Sequence, residues 1–312
     1  MLRTVSRGPG CVARGRWRAG LCSALVLGCS VVGCASPSAI SAGGAARHAL
    51  PPAELEARSE SVRRDPLAYL HRVAENSARL RQYTLTLRRQ ERRGLIPRLA
   101  PPERIAAWYR RSPLSVRFKW LDDHPRYGES AYVEDRAGSQ VRFVSRRGLL
   151  GLEPRVISVD VNTPVLWGES RYPITEFGLE KLMRRTLDSV AEAGDVRISY
   201  QGLTTLGAAE RLVHHLRLEY PAAYSRTPVQ DLFIDATTDL PAGTLLKLAS
   251  GALDSAYLYE DLDPHVNLTD DDFLLECERA RAPASATRPA AEQAEAVNPP
   301  ETPEGVRPLH AR

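Results

Sequence analysis

Nowhere in this 312-residue chain is there an apolar run of the ~20 residues that a helix needs to cross a bilayer. The greasiest stretch, Leu21 to Val32, is too short for a stable span. Cysteine is nearly absent: none occurs between Cys34 and Cys277. A chain beginning at Cys34 would therefore carry no internal disulfide framework. It must be held by its core, and it is long enough to build one. Lysine is scarce too, with Lys119, Lys181 and Lys247 the only three among 42 basic residues. That is a bias toward arginine across the chain rather than a chosen patch. No Gly-x-Ser-x-Gly elbow, His-Glu-x-x-His pair or phosphate-cradling glycine loop is present, so no catalyst is advertised. No internal repeat is found.

What is present begins with an address. Arg3, Arg7, Arg14, Arg16 and Arg18 precede the Leu21–Val32 run, and residues 1–33 contain no acid. A basic region, a short apolar region and small residues at its end form a secretory signal. Its last residues, Val31-Val32-Gly33-Cys34, resemble the lipobox of bacterial lipoproteins. In that family the cysteine thiol carries a diacylglyceryl group and becomes the new amino terminus, and two acyl chains anchor where one would bind only marginally. Cys34 is the expected lipidation site. Val26-Leu27-Gly28-Cys29 is a competing box, which leaves a shorter apolar region and a less suitable leucine; an ordinary cleaved signal is the plainer alternative. Residue 35 is Ala, which by analogy with enteric bacteria favours the outer membrane. The protein is thus expected to be exported and held by lipid on the periplasmic face.

Removing the signal changes the charge. It takes five of the 42 basic residues and none of the 38 acids, leaving 37 basic against 38 acidic groups, a formal −1. Nucleic-acid binding loses its electrostatic argument. The expected organisation is a signal peptide at 1–33, a flexible tether at 34–64, one domain at 65–279, and a disordered Ala/Pro/Glu-rich tail at 280–312.

Within the domain, Asp65-Pro66 opens a helix as N-cap and first residue, with Leu67, Leu70, Val73 and Ala74 on one face. Tyr83, Leu85 and Leu87 alternate with polar residues, as do Val116, Phe118 and Trp120, which predicts half-buried strands. AYVEDRAGSQVRFV reads as a hairpin around Asp135 to Gly138. PITEFGLEKLMRRTLDSVAEAG reads as a second helix, capped by Thr175 and ended by Gly194, with Leu179, Leu182, Met183 and Leu187 facing in. Two helices and nine or ten mostly antiparallel strands imply an α+β fold built on a large curved antiparallel sheet.

YTLTLRRQERRG, IAAWYRRSPLSVRFKW, YGESAYV, RYPITEFGLEKLM and AYLYEDLDPHVNLTDDDF together resemble the bacterial domain of unknown function 1571 family. Tyr257, Tyr259, Leu262, Val266, Leu268, Asp270, Asp272 and Phe273 match its closing strand; Asp263, Pro264 and His265 depart from it, and Arg110-Arg111 before Ser112-Pro113 fits more loosely. The resemblance implies an exported protein, similar in fold to periplasmic lipoprotein-localisation carriers and receptors. It implies an unclosed half-barrel with helices over the concave face and an apolar interior. Tyr83, Leu85, Leu87, Val116, Phe118, Trp120, Phe143, Leu179, Leu182 and Met183 are then candidates for the wall of a ligand cavity. Ordinary core packing explains each equally well, since burying one such side chain is worth ~1.5–3 kcal/mol.

Metal and catalytic sites are not expected. Successive strand residues point to opposite faces, so His214 and His215 cannot chelate one ion. Asp122-Asp123-His124 reads as a turn, and Asp270-Asp271-Asp272 lacks the spacing and glycine of a calcium loop. The expectation is a non-enzymatic, cofactor-free envelope protein that binds a lipid or a lipoprotein's acyl chains, with helix 175–193 or a loop as lid. The alternative is a non-catalytic interaction or structural lipoprotein, with no protein partner identifiable; a hydrolase has no assembled nucleophile.

Overall fold

The computed structural model describes residues 50–94, 96–122, 127–137, 140–145 and 155–281. The signal at 1–33, Cys34 and Cys29, the first part of the tether, Asp123-His124, Gly138 of the 135–138 turn and the tail beyond residue 281 lie outside these.

Two helices come first, α1 (Pro52–Arg64) and α2 (Pro66–Arg79). Asp65 separates them, and its Oδ1 accepts the Ala68 N–H at 2.9 Å. An N-cap followed by proline is what the sequence predicts here. Leu70 and Val73 are buried as expected, whereas Leu67 is 40% exposed. The tether expected over 34–64 is corrected at its end: 52–64 is helix α1, whose Val62 is buried and whose Arg58 donates to the Ala236 carbonyl at 3.3 Å. Polar composition concealed it, since α1 buries only Ser59 and Val62.

Next come β1 (Gln82–Arg93), β2 (Arg98–Leu99), β3 (Glu103–Arg110), β4 (Ser115–Trp120) and β5 (Tyr127–Val133). The short helix α3 (Glu134–Ala137), β6 (Gln140–Ser145), β7 (Val156–Asp160) and α4 (Thr163–Leu166) follow. After α5 (Leu179–Ala193) the chain is β8 (Arg197–Leu206), β9 (Arg211–Glu219), β10 (Val229–Asp235), β11 (Pro241–Lys247) and β12 (Leu253–Asp263), then α6 (Glu276–Arg279). The strands form one antiparallel sheet in the order β7-β6-β5-β4-β3-β1-β12-β11-β10-β9-β8, with β2 beside β1. The chain steps outward from β1 to one edge, crosses to the other, and steps back until β12 closes on β1. Edge strands β7 and β8 do not pair among the described residues, so the barrel stays open.

The twelve strands among the described residues exceed the nine or ten expected. The α+β class and the large curved sheet stand as read. Register sets the inner face: Leu87 lies between Ile105 on β3 and Tyr259 on β12, and Leu85 opposes Ala107. Against one end of that face pack α2 and α5. Tyr83, Leu85, Val116, Leu179 and Met183 are buried there in one apolar cluster with Leu70 and Val73.

Helix α5 starts later than the sequence suggests. Ile174–Glu176 is a 3-10 turn, and the helix begins only after Gly178. Gly178 has φ +141°, a region that essentially only glycine enters. A Cβ there would meet the Tyr109 ring at 3.1 Å. The Leu179 N–H is satisfied by the Tyr83 hydroxyl at 2.9 Å, a long-range cap in place of Thr175. Gly194, at φ +72°, ends the helix as expected.

The outer face is not bare. Beyond β12 the chain crosses back over β3–β6 and buries Phe273 and Leu275 completely. The resemblance placed 266–273 in a closing strand; β12 ends at Asp263 instead. Gln82 then steers the segment, donating to the Val266 carbonyl at 2.8 Å. Asp270–Phe273 is a 3-10 turn with a Thr269/Asp272 capping box. Arg110 donates to Asp270 at 2.8 Å and lies 4.8 Å over the Phe273 ring. Arg117 is buried over Trp108 and contacts Glu129 and the Asp272 carbonyl, both at 3.3 Å. Lys119 pairs with Glu276 and Arg142 with Glu278. The acidic run is a structural strap.

Candidate functional site

The helices cover only part of the concave face. Over the rest, the segment between β7 and α5 bridges above the sheet and leaves a cavity of about 260 Å³. That is just below the ~300–1,000 Å³ usual for a small-molecule site. It fits one slender ligand, or one end of a larger one.

Its two ends differ in chemistry. Strands β4–β7 and the bridging segment supply Phe118, Trp120, Tyr127, Val141, Phe143, Trp167, Ile174 and Phe177. Phe118 and Phe177 meet edge-on at 4.9 Å, and Trp120 lies 5.2 Å from Tyr127. Strands β1 and β10–β12 with α5 supply the polar end: Arg89, Glu91, Gln230, Thr244, Tyr257, Arg185 and Thr186. Period-2 alternation accounts for Arg89 and Glu91, which continue the face begun by Tyr83, Leu85 and Leu87.

Buried and half-buried ions at this end are matched. Arg89 donates to Glu103 at 2.9 Å, and Arg93 reaches the same carboxylate at 2.6 Å. Burial alone would raise the Glu103 pKa, but hydrogen bonds from Arg93 and the charges of both arginines take it down to about 2. Arg171 pairs with Asp254, and Arg185 with Glu176 at 3.0 Å. Glu91 accepts from the Tyr257 hydroxyl. Gln230 donates to Thr186 at 3.1 Å and Thr244 at 3.3 Å, and accepts from Tyr220 at 3.0 Å. Burial pushes the Tyr259 phenol up to about 12 and the Tyr257 phenol well above its ordinary range, so both remain neutral at physiological pH.

Of the ten residues proposed for the wall, Leu87, Phe118, Trp120, Phe143 and Leu182 line this hollow. Tyr83, Leu85, Val116, Leu179 and Met183 do not; they are corrected to core, packed in one buried cluster with Leu70 and Val73 of α2. His214 and His215 face opposite ways as expected. His214 is buried with Nδ1 2.9 Å from the Tyr200 hydroxyl, and burial lowers its pKa. His215 pairs with Asp231 at 2.9 Å on the other face. Asp122 accepts the Arg104 N–H at 2.7 Å, a contact from the end of β4 back to β3. Among the described residues no group of three or more His, Cys, Asp or Glu is placed to hold a metal ion. Nor is any helix among them long and apolar enough to cross a membrane.

The family described as protein of unknown function (DUF1571) matches residues 80–281, more than half of the chain. The chain belongs to that family. The DUF1571 match takes in every strand and α5, and both ends of the hollow. No curated protein matches the sequence. Among solved structures, MucB is similar over 69% of this chain and 64% of its own, with 16% identity and a TM-score of 0.42. In the MucA/MucB complex of Pseudomonas aeruginosa the figures are 68%, 61%, 16% and 0.41. This DUF1571 chain therefore spans less than two thirds of the MucB chains that it matches. The lipoprotein LppX of Mycobacterium tuberculosis is similar over 66% of this chain and all of its own, at 10% identity and a TM-score of 0.39.

Proposed function

We propose that this is a lipid-anchored envelope protein that holds an amphipathic molecule in the hollow without covalent chemistry. One observation carries the reading: a cavity of about 260 Å³ with an aromatic end and a polar, hydrogen-bonded end. A ligand with an apolar chain and a polar head matches both. Burying the chain against Phe118, Trp120 and Phe143 would supply ~25 cal/mol for each Å² removed from water. The neutral phenols and paired ions offer hydrogen bonds but no activated nucleophile or base. Anchoring through Cys34, with Cys29 as the alternative, and an outer-membrane position belong to the same proposal and rest on the amino-terminal sequence.

The bridging segment is the moving part in this reading. Helix α4 buries none of its residues, and Leu166 and Trp167 are 81% and 61% exposed. Helix α5 is instead fixed to the core through Tyr83 and Tyr109. A ligand larger than the present cavity enters by displacing the bridge.

Ser130 offers a direct test, because it lines the cavity opposite Phe118 and Phe143. The full-length protein is expected to take up the neutral apolar dye phenylnaphthylamine with a rise in fluorescence. Ser130→Trp, which fills the space, should weaken uptake at least about tenfold, equivalent to ~1.4 kcal/mol. Circular dichroism checks that the variant remains folded. Equal uptake by both proteins would move binding away from the hollow.

A further inference from the structure

The charges around the hollow restrict what its polar end accepts. Three arginines line it, Arg89, Arg171 and Arg185, together with three glutamates, Glu91, Glu169 and Glu176. None of the arginines is free. Arg89 is held by Glu103 at 2.9 Å, Arg171 by Asp254, and Arg185 by Glu176 at 3.0 Å while stacking 4.5 Å over Tyr172. An anionic head group entering here would meet arginines whose charge a carboxylate already balances, and would add a negative charge beside Glu91 and Glu176. That is less favourable than meeting an unpaired cation.

Neutral groups at the same end are differently placed. Thr186, Thr244, Gln230 and Tyr220 form one chain of hydrogen bonds along the wall. Ser189 and Thr227 line it too. Hydroxyl rotors donate or accept as a ligand requires. A head group that carries hydroxyls and no charge can therefore join this network without breaking an ion pair.

We infer that the hollow selects an amphiphile with an uncharged, hydroxyl-bearing head, such as a monoacylglycerol, over a fatty acid or phospholipid with the same chain. This rests on the amphiphile-binding reading above. It adds a rule of selection: the protein's ion pairs exclude anions by being already complete.

Competition against phenylnaphthylamine on the full-length protein at pH 7.5 tests it, with monooleoylglycerol and oleate held below their aggregation limits. Monooleoylglycerol is expected to displace the dye at about one tenth of the oleate concentration, a difference of ~1.4 kcal/mol. Glu176→Gln, which removes the carboxylate that balances Arg185 while keeping its 2.7 Å donation to the residue-176 carbonyl, should improve oleate about tenfold relative to monooleoylglycerol. Oleate binding as well as or better than monooleoylglycerol to the unaltered protein would overturn the selection rule and leave amphiphile binding intact. No response of the hollow to the dye or to either lipid would overturn both.

Discussion

Phe273→Ala should lower the protein's stability by about 3–5 kcal/mol, the usual cost of emptying a fully buried phenylalanine site. In a domain of this size that is a fall in Tm on the order of 10 °C. Phe273 is completely buried, with the Arg110 guanidinium over its ring, and the neighbouring Arg117 is sandwiched between strap and sheet. Removing the ring breaks the seal that keeps these arginines next to Asp270, Asp272 and Glu129. Phe273→Leu, which keeps most of the volume, should recover more than half of the loss. Thermal unfolding followed by circular dichroism reads both variants. A Phe273→Ala protein melting within 2 °C of the parent, well inside the shift expected for ~1 kcal/mol, would mean that the strap is not part of the cooperative fold.

The second large effect is electrostatic. Glu103→Gln leaves Arg89 and Arg93 facing an uncharged amide in a buried site, and breaking a buried pair costs about 3–5 kcal/mol. Its pH dependence has a definite sign. The Glu103 pKa falls from an ordinary 4.5 to about 2 in the folded protein. The unfolded chain therefore binds the proton more readily, and the ion pair's contribution is complete above pH 4.5 and lost as pH falls toward 2. Urea unfolding from pH 7 to pH 2.5 should show parent and variant far apart at neutral pH and converging in acid. Other carboxylates also titrate in this window, Asp231 among them with a pKa of about 2, so the difference between the two proteins is the informative quantity. A constant gap across the range would show that Glu103 does not act through its charge.

Much of the fold is legible because its causes are local. Asp65-Pro66 and Gly194 set helix ends by capping and backbone preference, and the alternation of Tyr83, Leu85 and Leu87 marks an inner face. The same alternation separates His214 from His215. Period 2 does not reveal which stretch of an inner face lies under a helix and which under a hollow. Tyr83 and Leu85 therefore belong to the core, while Leu87, two residues on, lines the cavity. The polar end was missed for a related reason. Arg89 and Glu91 continue the Leu87 face and were visible in the alternation, but charged residues in a strand suggest solvent until their partners are known. Those partners are distant: Tyr257 lies 166 residues from Glu91, and Thr186 lies 44 from Gln230. The strap was hidden likewise. Arg117 and Lys119 occupy the polar side of β4, a pattern that implies exposure, and only the returning acidic segment covers them.

Helix α5 shows how a distant contact overrides a local signal. Thr175 is a good N-cap in sequence, yet the Tyr83 hydroxyl takes the Leu179 N–H and Gly178 lets the chain pass close to Tyr109. The turn at 174–176 is thereby left over the hollow as part of its roof, with Ile174 and Glu176 in the lining. Cap, glycine and tyrosine pair together fix α5 and leave the preceding segment to open.

A crystal structure of the full-length protein grown with monooleoylglycerol tests the hollow most directly. The expected result is an acyl chain between Trp120, Phe143 and Phe177, with the glycerol hydroxyls against Gln230 and Thr186. Lipid found only on the outer surface, with the space beneath the bridge closed by side chains, would contradict it.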